Sequence, residues 1–573
     1  MKTKSYIIIA IGTILLLAAC SPVAELNGSD ERVQGSQLTI ASVRVEGGVG
    51  GAESRVQENA DGNSAFEVGD IFCARFANNT KVGTFRIADV AGSCDVIDPI
   101  NWVSIKSSVV GWYPKEEAID LSDQSTRTPH VLKATSDVIS YGTEATLTFH
   151  NRLAKVRVSF EYIGTDEATQ DIKDVGIYGY KSCVNAQGDV SVAADAQRDY
   201  IAMHKVVYNG KNYWEANLVP GTLQAESALI FSRKGKEETM SLHKDVEIEA
   251  GKMSVLSLAI YTSSYSPINL DELTGSTTID KSTILYGTTN YSISLADGVH
   301  VYLCNATINN CIKCKGDATI TIVGANVVNC DASNAGISAG PEGTTLTIDG
   351  DGKLNVKGGP SYAGIGSGDQ SSCGAITIKG GIVTATGGVD GAGIGSGYYY
   401  SSCGAITIKG GIVTATGGEG GAGIGSGNYY SSCGAITITG GIVTATGGKL
   451  VAGIGSGTSY SSCGDITITG GIVTATGGDN GAGIGSGYFE SSCGAITINA
   501  VSDVRVKSGS STVCIGNGKF SNSVGDIKVT NCPHVILDNS LGLGYFSPNP
   551  KDISGSNFFD EDGSNVTDKI TVQ

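Results

Sequence analysis

One thirty-residue motif repeats along this 573-residue chain without slipping by a residue. Each copy opens with the tetrapeptide "SSCG", at Ser371, Ser401, Ser431, Ser461 and Ser491. Three short runs with strand-like character follow, "AITI", "IVTAT" and "AGIGS", and Gly-Gly pairs stand between them. Glycine adopts the positive φ that a tight corner requires. A repeat of this length with three strands predicts a parallel β-helix with one coil per copy.

Stacking of identical coils accounts for the constant register, because each coil buries the same residues as its neighbours. Degenerate copies of the motif lie near Ala335, Ala363 and Cys514. Such copies are expected at the ends of the stack, where terminal coils must cap the core. We predict a right-handed parallel β-helix over residues 292–545 and a cap or tail over 546–573. Independent hairpins are the alternative, although such short strands are marginally stable alone. Alternation in the first copy predicts six inward positions, Ile376, Ile378, Val383, Ala385, Ala392 and Ile394, and four outward positions, Thr377, Lys379, Thr384 and Thr386.

A cysteine occupies the same position in every copy: Cys373, Cys403, Cys433, Cys463 and Cys493. Stacking would align them in one ladder with Cα atoms about 4.8 Å apart. That distance is compatible with disulfides, which an oxidising exterior would favour. In-register side chains point in parallel, however, and the number of cysteines is odd. We therefore predict free, buried thiols, since cysteine packs as a small hydrophobe, and leave disulfides as the alternative.

A variable three-residue tip follows each "GSG" of the otherwise constant repeat. The tips supply the candidate ligand-binding residues Tyr398, Tyr399, Tyr400, Tyr429, Tyr430, Tyr460, Tyr488 and Phe489. Stacked coils would bring these rings into one surface column, roughly 5 Å apart. The column either covers a corner of the stack as an aromatic ladder or forms a surface on which sugar rings stack. Carbohydrate is the candidate ligand.

The N-terminus has the pattern of a secretory signal. Lys2 and Lys4 precede an apolar run over residues 6–19, which is short for a membrane span and ends at Cys20. The sequence "LAAC" matches the bacterial lipobox, whose cysteine is lipidated. We predict a signal peptide over residues 1–20, a tether over 21–34, and attachment to the outer membrane through lipid on Cys20. An ordinary signal peptide is the alternative.

Residues 35–262 alternate with period two, as in "LTIASVRV" at 38–45 and "VEIEAGKMSVLSLAIY" at 246–261. Turn signals separate these runs, which predicts an antiparallel β-sandwich or two in series. A polar, turn-rich linker over residues 263–291 is expected before the β-helix. The whole chain is thus predicted to be all-β.

Four segments of this region resemble the fimbrillin-like surface lipoproteins of Bacteroidetes-type bacteria. They are "GWYPK" at 111–115, "ATLTFHNRLAKVRVSFEY" at 145–162, "YWEANLVPGT" at 213–222 and "AGKMSVLSLAI" at 250–260. The resemblance implies two transthyretin-like β-sandwiches. It also implies a subunit or tip of a pilus, in which a strand from the next subunit replaces a removed first strand. About three hundred further residues follow this region, which favours a tip or a stand-alone surface protein.

Composition and motifs give other function classes less support. The net charge of -17 argues against nucleic acid as a partner. A CxxC unit at Cys311 and Cys314, with Cys304 and Cys330 nearby, lacks the second CxxC of a zinc signature, so we predict no metal or other cofactor. The carboxylates of the repeats do not recur in the pairs that glycoside hydrolysis needs. We predict a non-enzymatic adhesin or pilus-tip component. A pilus subunit without a ligand and a polysaccharide-cleaving β-helix enzyme are the alternatives.

Overall fold

In the computed structural model, strands are the main regular structure of the described residues. These residues also contain one four-residue α-helix, Glu167–Gln170, and two short 3-10 helices, Leu270–Glu272 and Thr567–Lys569. It divides into two compact units. Among the described residues, the first contains those from 36 to 119 together with 130–152 and 184–191, and the second contains those of 120–129, 153–183 and 192–572. The structure describes residues 36–45, 57–58, 64–165, 167–208, 210–262, 265–331, 333–501, 503–509, 512–521, 523–538, 545–560 and 562–572.

A seven-stranded sheet forms the first unit. Its strands run in the order Ile40–Val45, Ala145–Asn151, Leu132–Thr135, Val109–Tyr113, Ile71–Phe76, Gly83–Ile87 and Cys94–Asp98. The first two are parallel and the others antiparallel. The sheet folds over until its two ends meet, where the Leu38 amide donates to the Ile100 carbonyl at 2.8 Å. Alternate residues of these strands fill the interior, which contains Phe72, Phe85 and Phe149.

Two four-stranded sheets begin the second unit. One has the order His204–Tyr208, Lys211–Leu218, Ala154–Ile163 and Met253–Tyr261, and the other Arg198–Ala202, Ile172–Tyr180, Leu229–Arg233 and Lys236–Met240. The ring of Phe160 lies 5.2 Å from Trp214 in its own sheet and 5.2 Å from Phe231 in the other. These rings hold the two sheets together as a β-sandwich, because large aromatic side chains contribute most of the buried apolar area.

The outer face of the first of these sheets carries a buried ion cluster. Glu215 lies between two cations, with Oε2 2.9 Å from Nζ of Lys155 and Oε1 2.5 Å from Nε of Arg157. The Arg157 guanidinium also lies over the ring of Tyr208, 4.6 Å from its centroid. Two cations share one carboxylate here, and burial lowers the pKa of Lys155 to about 8.

The rest of the second unit is a parallel β-helix, which confirms the predicted all-β architecture. Its strands form three sheets of eighteen, eleven and six strands. Identical residues pair across neighbouring coils, as Ile406 pairs with Ile436 and Cys403 with Cys433. Along the stack the strands from residue 293 to 538 are Ile293–Leu295, Val299–Ile308, Ile312–Cys314, Ala318–Val323, Ala325–Asn329, Ile337–Ser338, Thr345–Gly350, Lys353–Lys357, Ile365–Gly366, Ser372–Cys373, Ala375–Ile378, Ile382–Thr386, Ile394–Gly395, Ser402–Cys403, Ile406–Ile408, Ile412–Thr416, Ile424–Gly425, Ser432–Cys433, Ile436–Thr446, Ile454–Gly455, Ser462–Cys463, Ile466–Thr476, Ile484–Gly485, Ser492–Cys493, Ile496–Asn499, Asp503–Lys507, Ile515–Gly516, Ser523–Val524, Ile527–Thr530 and Val535–Asp538.

The strands of one coil differ in two ways from those predicted. The Ser-Cys pair of each "SSCG" forms a strand of its own, and these five strands, followed by Ser523–Val524, make up the six-stranded sheet. The first Gly-Gly pair is not a corner. In two coils it lies inside one continuous strand, Ile436–Thr446 or Ile466–Thr476, where the pairing register shifts. Gly441 has φ +87° there, so the positive φ serves a bulge in the strand.

All six predicted inward positions of the first copy are fully buried, and the outward threonines are half-buried. The equivalent isoleucines Ile382, Ile412, Ile442 and Ile472 also face outwards, at 41–46% exposure. A β-branched residue is favoured on an exposed strand, so this apolar row is compatible with stacking alone.

The stack begins before residue 292. The predicted linker contains Ile268–Asn269, Thr277–Ile279 and Thr283–Thr289, which pair in parallel with later strands. Leu270, Ile279 and Leu285 are buried in the same core as the repeats, so this polar segment caps the stack. At the other end, Phe546–Ser547 and Phe558–Phe559 continue the sheets into the predicted tail.

The β-sandwich of the second unit packs on the outer face of the early coils. Ile163 of the sandwich forms a buried cluster with Ile284, Cys304 and Val323 of the β-helix. Lys211 adds ion pairs to Glu161 of the sandwich and to Asp351 of the β-helix.

Candidate functional site

The aromatic tips have an unusual backbone. Their second and third residues have positive φ, namely Tyr399 47°, Tyr400 52°, Tyr429 64°, Tyr430 54°, Ser459 59°, Tyr460 63°, Phe489 53° and Glu490 53°. This left-handed conformation is uncommon for residues other than glycine and costs about 1–2 kcal/mol per residue. The sequence pattern gave no sign of it, because nothing in the tips distinguishes a left-handed turn from an ordinary loop.

Hydrogen bonds between coils hold the tips in this conformation. The amide of Tyr399 donates to the carbonyl of Asn428, and that of Tyr400 to the carbonyl of Tyr429, both at 3.0 Å. The same bonds continue at the next coil, where the Tyr430 amide donates to Ser459 at 3.0 Å. The stack thus fixes a strained backbone that the tip sequence alone would not maintain.

A serine also closes each tip. The hydroxyl of Ser431 donates to the carbonyl of Asn428 at 2.8 Å, and that of Ser461 to Thr458 at 2.8 Å. These are the first serines of the "SSCG" tetrapeptides, which sequence reasoning did not select as functional. Their presence in every copy beside a variable tip is the signal that could have identified them.

The rings form the column that stacking predicts. Tyr400 and Tyr430 have ring centroids 5.0 Å apart, Tyr430 and Tyr460 4.8 Å, and both pairs are parallel to within 4°. Beside them, Tyr399 stacks on Tyr429 at 5.7 Å. Further ring contacts extend the column. Tyr398 is tilted against Tyr429, Tyr460 meets Phe489 edge to face, and Tyr488 is tilted against Phe489 and meets Phe520 edge to face.

The column is exposed to solvent on its outer side. Tyr400 is 59% exposed, and Tyr430 and Tyr460 are 41% and 42% exposed. Tyr430 has a parallel ring against each face, so the part of it that meets solvent is mainly its rim. Tyr400 is the first stacked ring, and its exposure is the largest of the three. Desolvation, together with the neighbouring Tyr460 and Tyr400, raises the pKa of Tyr430.

The cysteine ladder is buried and does not contribute to the exposed column. The five thiols are free and only 2–6% exposed. Hydrogen bonds with Cys373 and Cys433, together with burial, raise the pKa of Cys403 well above its usual range. Protonated, buried thiols are poor nucleophiles, so this ladder is a packing element.

The CxxC cysteines are distributed between different environments. A hydrogen bond joins Cys311 to Cys330, whereas Cys304 packs under the β-sandwich. Cys314 lies in the core of the coils. Within the described part of the chain, no group of three or more His, Cys, Asp or Glu could hold a metal ion.

One open cavity of about 310 Å³ lies beside Lys211 in the second unit. Two of its carboxylates, Glu161 and Asp351, are both paired with Lys211. The third, Glu167, accepts a hydrogen bond from the side-chain amide of Asn212 at 2.6 Å. Cys20 lies outside the described residues. No helix in the described part is long and apolar enough to cross a membrane.

A family model described as a beta helix repeat matches residues 346–369, 376–398, 406–428, 436–458 and 466–488. No curated protein matches the chain. A solved structure of a proposed cell adhesion protein from Bacteroides uniformis aligns at 16% identity over 39% of this chain and 93% of its own, with a TM-score of 0.29. A fimbrial protein from Bacteroides ovatus aligns at 12% identity over 40% of this chain and 50% of its own (TM-score 0.24). A fimbrial assembly protein from Parabacteroides distasonis aligns at 10% identity over 39% and 92% (TM-score 0.25).

Proposed function

We propose that this chain is an adhesin of the bacterial surface, held to the outer membrane through lipid on Cys20, and that the aromatic column binds carbohydrate. The signal sequence and the lipobox support export and anchoring. The fimbrillin-like resemblance supports a role in adhesion, either on a pilus tip or as a separate surface protein. The proposal includes no catalytic step, and turnover of a polysaccharide in a zymogram would contradict it.

The left-handed aromatic residues carry the binding proposal. The chain contains 81 glycines and uses them at other positive-φ positions of every coil. Glycine or asparagine would relieve the strain at the tips, yet each of four consecutive coils has at least one tyrosine or phenylalanine at these left-handed positions, beside Ser459 and Glu490 in two of them. Strain retained at an exposed position indicates a function beyond folding.

The chemistry of the column suits sugars. Aromatic rings offer a rigid apolar surface that loses little conformational entropy on binding. The rims of Tyr430 and Tyr460 and the more exposed Tyr400 are the parts a sugar can contact. Phenol hydroxyls supply the few polar groups that orient a ligand.

Substituting the stacked tyrosines separates binding from stability. We expect the triple variant Tyr400→Asn, Tyr430→Asn, Tyr460→Asn to lose retention on a glycan array. Asparagine tolerates left-handed backbone, so the coil conformation is preserved and only the rings are removed. Tyr291→Asn is the matched control, because Tyr291 is also an exposed tyrosine of the β-helix, at 39%, and does not belong to the column. Lowered thermal stability with unchanged glycan binding, or no glycan binding by the parent protein, would leave the column purely structural.

Assembly into a pilus without binding a ligand is a second candidate function. The position of the first strand in its sheet favours this function. Ile40–Val45 lies at the end of its sheet and pairs in parallel with Ala145–Asn151. Its removal would open a groove that a strand from another subunit could fill. Limited trypsin cleavage before about residue 60 should then yield ladders on non-denaturing gels. A strictly monomeric product would favour the stand-alone adhesin.

A further inference from the structure

The nearly identical copies of the repeat differ mainly in two short segments. One is the tip. The other precedes "AGIGSG" and reads "VD", "EG", "KL" and "DN" in successive copies, at residues 389–390, 419–420, 449–450 and 479–480. Outside these segments the four complete copies vary at a few single positions, such as the one that holds Lys379, Lys409 and Thr439.

The fold brings both variable segments to one edge of the stack. The amide of Asn428 donates to the carbonyl of Asp390 at 2.9 Å, and its side-chain amide donates to the Asp390 carboxylate at 2.9 Å. Two coils later the Tyr488 amide donates to Leu450 at 2.9 Å. Each segment of one coil therefore lies beside the tip of the next coil. Sequence differences between copies are concentrated where side chains reach solvent and not where coils stack.

This edge presents a defined order of side chains. Val389, Glu419, Lys449 and Asp479 occupy equivalent, exposed positions in successive coils. Their spacing follows that of the coils, about 4.8 Å. An anionic polymer would meet like charges at Glu419 and Asp479, and a cationic polymer would meet a like charge at Lys449. An uncharged glycan would meet acceptors at the carboxylates and donors at the ammonium.

We infer that the two variable segments together form one specificity-determining surface for an uncharged glycan chain that lies along the stack axis. This inference rests on the proposed function of the aromatic column. The rings supply contact area common to many sugars, and the flanking row from Val389 to Asp479 selects among uncharged chains through the order of its hydrogen-bonding groups.

The test exchanges two charges along the edge. The double variant Glu419→Lys, Lys449→Glu keeps the net charge and changes only exposed side chains. The matched control is Lys379→Thr, Lys409→Thr, which alters the outward face of the coils to a residue found in later copies. The probes are the neutral glucan, mannan and xylan and the anionic polygalacturonate.

We expect the parent to bind at least one neutral probe and not polygalacturonate. The affinity of the double variant for that probe should be roughly tenfold lower, which is the effect of losing one hydrogen bond to a charged group. The control should bind the probe as tightly as the parent does. Unchanged affinity of the double variant, with binding abolished by the three tyrosine substitutions, would overturn this inference and leave the proposed function standing. Binding of polygalacturonate alone would also overturn it. A parent that binds no glycan would overturn both.

Discussion

Replacing Gly425 by alanine tests how closely the coils are stacked. Gly425 has φ +140°, and a Cβ built on it would lie 1.8 Å from the carbonyl oxygen of Gly455 in the next coil. Positive φ alone costs an alanine about 1–3 kcal/mol. The coils would also have to separate locally, which breaks the bonds from Ser426 to Gly455 and from Ile424 to Gly453, each worth about 1 kcal/mol. We therefore expect Gly425→Ala to lower the free energy of unfolding of the β-helix by about 3–5 kcal/mol.

Alanine substitutions at two other glycines of the β-helix separate the cost of backbone strain from the cost of crowding against the next coil. Gly343 has φ +89° with no atom within 4 Å of the place a Cβ would occupy, and Gly275 has both ordinary φ and open space. Gly343→Ala should cost only the strain, about 1–3 kcal/mol. Gly275→Ala should be neutral or stabilise by about 0.4–1 kcal/mol, since it restricts the unfolded chain.

Urea unfolding followed by circular dichroism, with hydrogen exchange of peptides from the coils, measures these differences. The three tryptophans all lie before residue 215, so their fluorescence reports on the sandwiches and serves as an internal control. If Gly425→Ala were no less stable than Gly343→Ala, the close stacking of the coils would be refuted.

Three further predictions concern charge, thiols and anchoring. Burial lowers the folded pKa of Lys155 to about 8 from 10.5, so the unfolded chain binds more protons between these pH values and stability rises with pH there. Relative to Lys155→Met, the parent should gain about 3 kcal/mol across this window by chemical denaturation, and a flat difference would contradict the buried charge. Thiol titration of denatured, unreduced protein should find most ladder cysteines free, whereas a count near zero would indicate disulfides. Cys20→Ala should move the protein from the membrane to the soluble fraction, and an unchanged membrane fraction would exclude lipid anchoring.

The sequence predicts the interior of the β-helix well because every copy of the repeat has the same alternation of apolar and polar residues. Val413 and Ala415 stack on the same residues of neighbouring coils, so alternation in one copy determines burial in all. The role of the Gly-Gly pairs is not determined in this way. Positive φ serves a corner and a bulge equally, and only the pairing of Ile436–Thr446 with its neighbours distinguishes them.

Other features depend on contacts between segments distant in sequence. Lys155 and Arg157 alternate with apolar residues and therefore have the pattern of solvent-facing positions. They are buried with Glu215, about sixty residues away. The tips were correctly expected to form a column, since stacking requires it. Their left-handed backbone depends on hydrogen bonds from the next coil, which a single tip does not encode.

The exact register of the stack also bears on how a gene for such a protein can change. Because residue pairs recur at the same positions in neighbouring coils, a coil taken out or added as a thirty-residue block leaves every remaining interface as it was. In-frame recombination between the repeated codons would therefore lengthen or shorten the stack by about 4.8 Å per event and leave the fold unchanged. The same event would add or remove one tip and one variable segment of the proposed binding surface. The length of the stack and its ligand preference would therefore change together.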